Sequence, residues 1–72
     1  MLYIKLVDRT SYGEKAREYR QYEDLANLAF VVCDFALERQ ISPRHVLCQV
    51  YNRKSWLQES KEHDENIRNS KK

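Results

Sequence analysis

Alternation begins at the second residue. Leu2, Ile4 and Leu6 fall on one side of LYIKLVDR, and Tyr3, Lys5 and Val7 fall on the other. This is the period-two pattern of a strand with one wholly apolar face, and it predicts a central position in a sheet. TSYG, Thr10 to Gly13, then gathers turn-forming residues around the single glycine of the chain. The next segment, GEKAREYRQY from Gly13 to Tyr22, supports two readings. Glu14, Lys15, Ala16 and Arg17 favour helix, and Ser11 with Glu14 matches a capping box. A helix running on from there to Gln40, however, is roughly 43 Å long beside strands of about 23 Å, and overhangs whatever it packs on. A second strand folded back on the first avoids the overhang, and its charged side chains suit a sheet edge. The hairpin is therefore the expected structure.

EDLANLAFVVCDFALERQ, Glu23 to Gln40, is the one long apolar run and predicts a helix, with Glu23 and Asp24 in its first turn and Arg39 in its last, as the helix dipole favours. Pro43 ends it by pushing Ser42 out of helical geometry. HVLCQVYN, His45 to Asn52, is rich in β-formers and predicts a third strand, with Val46, Cys48 and Val50 on one face and Leu47 and Tyr51 on the other. Set antiparallel beside the first strand, it gives the order second, first, third. Ser55 caps a short last helix, SWLQESKE, docked through Trp56 and Leu57. KEHDENIRNSKK, Lys61 to Lys72, has Ile67 as its only aliphatic residue and predicts a frayed tail. The expected fold is α+β: a single domain over residues 1–60, β-β-α-β, with a three-stranded mainly antiparallel sheet covered by one helix, a short C-terminal helix, and a loose tail over 61–72.

The long helix has more apolar circumference than one sheet needs. At 100° per residue, Leu25, Ala29, Val32 and Ala36 form a stripe expected to lie on the sheet. Leu28, Val31 and Phe35 lie to one side of it and Ala26, Phe30, Cys33 and Leu37 to the other. Only Asn27, Asp34 and Glu38 make a polar ridge, so the apolar arc spans roughly 260°, against a little over 100° for a helix resting on one surface. Two coverings are open: Trp56, Tyr12 and Tyr19 closing over both flanks, or a second protein. A chain of 72 residues hides only about 60% of its unfolded surface, and burying a large apolar side chain stabilises by about 1.5–3 kcal/mol. The expected outcome is a contact surface for a protein partner or a homodimer, with Phe30, Val31, Phe35 and Leu37 as its apolar contacts and Arg39 and Arg44 setting orientation.

Charge narrows the remaining classes. Lys and Arg total 13 against 11 Asp and Glu, a formal charge of +2, and no segment is a polybasic arm, so nucleic acid and anionic membrane are weakly supported. Cations and rings do interleave at Lys15, Arg17, Tyr19, Arg20 and Tyr22, with Lys15, Arg17 and Tyr19 on one side of the expected hairpin. This supports single-stranded nucleic acid as a second reading. Glu14, Glu18, Glu23 and Asp24 neutralise the same neighbourhood and rank it below protein binding. Cys33 and Cys48 have neither C-x-x-C nor framework spacing, which points to a reduced, cytoplasmic protein. His45 and Cys48, three apart, point to opposite faces of a strand and cannot share a metal there. No glycine-rich loop, secretory leader pattern or membrane-length apolar run is present. The reading is a cytoplasmic, non-enzymatic binding module of regulatory type, without metal or cofactor.

Overall fold

Three strands pair into one antiparallel sheet, and their alternation sends side chains to two helices, one on each face. The computed structural model describes residues 1–24 and 27–70. β1 (Leu2–Asp8) is flanked by β2 (Arg17–Tyr22) and β3 (Val46–Tyr51), in the order β2-β1-β3. Leu2 stands opposite Tyr22 and Val7 opposite Arg17; on the other side Tyr3 stands opposite Tyr51 and Asp8 opposite Val46. The α+β class, the strand order and the central place of β1 are as the sequence predicts. The hairpin reading of Gly13–Tyr22 also holds, with one turn of 3-10 helix, Glu14–Ala16, before β2 begins. Gly13, at φ 75°, starts that turn in a conformation side chains resist.

Asp8 fixes the turn that follows β1. Its carboxylate accepts hydrogen bonds from the Thr10 amide at 2.8 Å, the Thr10 and Ser11 hydroxyls, and the Arg39 guanidinium at 3.1 Å. The Thr10 hydroxyl contributes most to lowering its pKa to about 2 from the usual 3.8, outweighing the opposing effect of burial, with Arg39 and Ser11 adding to the same direction. A depressed carboxylate pKa stabilises the fold fully above the unfolded value, and that contribution is lost as pH falls from about 4 through about 2. Urea unfolding should therefore show stability declining across that window. Asp8→Asn should flatten the acid limb and cost about 2 kcal/mol at neutral pH, since hydrogen bonds to a charged group are the strong ones.

α1 (Leu28–Arg39) starts five residues later than Glu23. Asn27 is extended, and its side-chain oxygen accepts from the Ala29 amide at 2.9 Å, so this strong cap sets the start and leaves Glu23 and Asp24 outside the helix. Gln40, left-handed at φ 58°, closes the other end. The stripe facing the sheet also differs from expectation. Val31 and Phe35 are 5% and 0% exposed and pack with Ile4 and Leu6; of the expected stripe, Ala36 is buried, Val32 is half-buried against the same core and Ala29 is exposed. Leu25 and Ala26 lie outside the described residues. Burying Val and Phe removes far more apolar surface from water than burying Ala, which turns the helix to that side.

α2 (Arg53–Ser70) covers the opposite face. Asn52, not Ser55, caps it, accepting from the Ser55 amide at 2.8 Å. Trp56 is buried, its ring 5.4 Å from Tyr3 and 6.4 Å from Tyr19, and its indole N–H donates to the Ile4 carbonyl at 3.2 Å. One and two turns on, Glu59 accepts from Lys5 and Tyr19, and buried His63 meets the Glu14 carboxylate at 2.6 Å. These polar anchors, at i, i+3 and i+7, carry the helix well past the short segment expected from the sequence. Lys61–Ser70 continues α2, and Lys71 and Lys72 lie outside the described residues.

Candidate interaction surfaces

The solvent side of α1 carries an apolar row. Phe30, Cys33 and Leu37, at i, i+3 and i+7, share one side of the helix. Phe30 is 74% and Leu37 77% exposed, and Cys33 is exposed between them. Of the four apolar contacts expected from the sequence, these two phenyl and isobutyl groups remain available. Val31 and Phe35 do not: both are core, which corrects their assignment to a partner surface. Arg39 is likewise structural. Its guanidinium binds Asp8 and the Lys15 carbonyl and lies 4.9 Å over the Phe35 ring. Arg44 is exposed in the 3-10 turn Pro43–His45, apart from the row. Beside Phe30, a shallow groove of about 340 Å³ runs between α1 and β2, lined by Tyr22, Asn27, Val31 and Asp34.

The basic and aromatic residues of the hairpin divide between the two sheet faces. Arg17 and Tyr19 lie on the α2 side. Tyr19 is held there by Glu59, the Trp56 ring and, at 5.2 Å, the His63 ring. Arg20 and Tyr22 lie on the α1 side, where Arg20 is paired with Glu18 at 3.0 Å and Glu38 at 2.5 Å and sits over Phe35, and Tyr22 packs against the core. Lys15 and Arg17 are exposed. The five residues therefore form no common surface, and neither ring is free to stack on a base.

An open polar cleft of about 260 Å³ lies where α2 crosses the hairpin, lined by Lys5, Glu14, Arg17, Tyr19, Glu59 and His63. Burial first, and then the Glu59 charge, push the Tyr19 phenol up to about 12, so its hydroxyl stays a donor. Burial also pushes the Cys48 thiol up. Both directions hold these groups protonated near neutrality, the opposite of what a nucleophile or base requires. Among the described residues, no cluster of three or more His, Cys, Asp or Glu is placed to hold a metal ion, and no helix is long and apolar enough to cross a membrane.

The two sheet edges differ in kind. β2 presents Arg17, Glu18 and Arg20, the charges that keep an edge from pairing. β3, VLCQVY, has no charged residue, and Leu47 and Val50 are 44% and 52% exposed. The Arg9 amide donates to the His45 carbonyl at 2.8 Å. Antiparallel bonding alternates, so Leu47, Gln49 and Tyr51 also bond towards β1, and the N–H and C=O groups of Val46, Cys48 and Val50 point outward. This edge escaped the sequence reading, although an uncharged run at the end of a predicted sheet was its visible signal. Comparison with protein-family models, with curated proteins and with solved structures finds no match to this chain.

Proposed function

We propose that this chain is a small protein-binding module of regulatory type, gripping a partner through the solvent face of α1. The observation that carries the reading is the row of Phe30 and Leu37, two large apolar groups left in water on a helix whose core side buries Val31, Phe35 and Ala36. A helix laid in a groove is recognised through such anchors at i, i+3 or i+4, and i+7. Asp34 flanks the row, so the partner groove is apolar with a basic rim. The free thiols of Cys33 and Cys48 suit a reducing, cytoplasmic setting. Protein binding is favoured over nucleic acid because Tyr19 and Tyr22 are engaged within the fold. Its mode of action is binding, without chemistry.

The test is capture of partners from the native host by the purified chain and by Phe30→Asp and Leu37→Asp. Both substitutions sit on exposed positions and should change stability by no more than about 0.5 kcal/mol. Each should lower capture at least tenfold, the loss expected when a charge replaces an anchor worth more than about 1.4 kcal/mol. Equal capture by all three proteins would remove the α1 face from consideration.

A further inference from the structure

We infer that two copies of this chain join along β3, edge to edge about a two-fold axis at Cys48, forming a continuous six-stranded sheet. The outward groups of Val46, Cys48 and Val50 supply the pairing. With the axis at Cys48, Cys48 faces its own copy and Val46 faces the second copy's Val50. Residues directly opposed in an antiparallel pair share a face and exchange both main-chain bonds when their groups point at each other. Every outward N–H and C=O of the strand is thereby satisfied. On the α1 face the joined row is Val46, Cys48 and Val50 from each copy, apolar throughout; on the other face, exposed Leu47 is covered beside Gln49. The charged edge of β2 cannot pair in this way.

The helix layer fits the same symmetry. α1 packs over β3 and β1. A helix centred above that strand pair in each copy places the two α1 axes two strand spacings apart, about 9.6 Å. Packed helices lie about 8–10 Å apart. The side of α1 turned to β2 is known, because Glu38 binds Arg20 there and Phe30 and Asp34 share a groove with Tyr22. At 100° per residue the side turned to β3 is Ala29, Val32, Cys33 and Ala36; Ala36 is already buried within the copy, and the exposed Ala29 and Cys33 are uncharged and small enough for close approach. The covered strip is about 20 Å along β3 and about 20 Å across the sheet and helix layer, roughly 400 Å² of flat area per copy. The pair therefore covers about 800 Å² in all, short of the roughly 1,000 Å² a tight interface clears, so the outward main-chain bonds carry a weak, concentration-dependent association. Phe30 and Leu37 stay outside this interface, which shares only Cys33 with the row proposed above to grip a partner.

Light scattering on a sizing column should give twice the 8.7 kDa chain mass, and amide exchange should show slow N–H groups at Val46, Cys48 and Val50. Val50→Lys, on a half-exposed position, should keep the native circular dichroism while halving the mass and releasing those three amides. Phe30→Asp should remain a dimer whether or not it captures a partner. A chain that runs as a single copy at every concentration overturns the inference. So does a folded Val50→Lys dimer, or a dimer whose three outward amides exchange as fast as loop amides.

Discussion

Phe35→Ala should lower the unfolding free energy by about 4 kcal/mol, a large share of what a domain this small possesses. The ring is fully buried in a cluster with Ile4, Leu6 and Val31. Its faces also support the guanidiniums of Arg20 at 5.6 Å and Arg39 at 4.9 Å. Those cations in turn tie β2 to α1 through Glu38, and α1 to the first turn through Asp8. Removing the ring therefore opens a cavity and loosens two ion pairs at once. Urea titration followed by Trp56 fluorescence measures the loss, with Phe30→Ala as the exposed control, expected within about 0.5 kcal/mol of the parent. A Phe35→Ala penalty below about 1 kcal/mol would show that the core is centred elsewhere.

The second large effect is expected at Trp56. Trp56→Ala should cost about 3–4 kcal/mol and release α2 from the sheet. Its indole fills the hollow between Tyr3 and Tyr19, and its N–H reaches the Ile4 carbonyl. Without it, α2 is held mainly by polar contacts, Glu59 with Lys5 and Tyr19 and His63 with Glu14. An unpacked helix of this length is marginal in water, so helical circular dichroism should fall and amides along Trp56–His63 should exchange quickly. Trp56→Phe keeps most of the ring contact and loses the donor, and should cost about 1 kcal/mol. Full helicity in Trp56→Ala would mean that α2 does not depend on its docking.

The strands were legible because β1 has one wholly apolar face, because β3 is rich in β-formers, and because a single long helix from Tyr12 would have outrun the sheet. The phase of α1 was not. A wheel of its residues shows how wide the apolar arc is, but the side that meets the sheet depends on how much volume the sheet must fill. Phe35 fills it and Ala29 cannot. That is why Val31 and Phe35 moved from the expected partner surface into the core while Phe30 and Leu37 stayed outside. The start of α1 turned on competition between two acidic residues and one Asn cap, a contest of about 1 kcal/mol that composition does not resolve. The length of α2 was hidden for a different reason. Its anchors Glu59 and His63 are polar, and they become anchors only when folding brings Lys5, Tyr19 and Glu14 beside them.

Roofing on both sides has an evolutionary corollary. With α1 on one face and α2 on the other, the residues that hold the molecule together and those free to meet something else are different sets. A saturation mutagenesis experiment should separate them into two classes, one intolerant in abundance assays and the other intolerant only in assays of association. Specificity in such a molecule can drift through its rim while its interior stays unchanged.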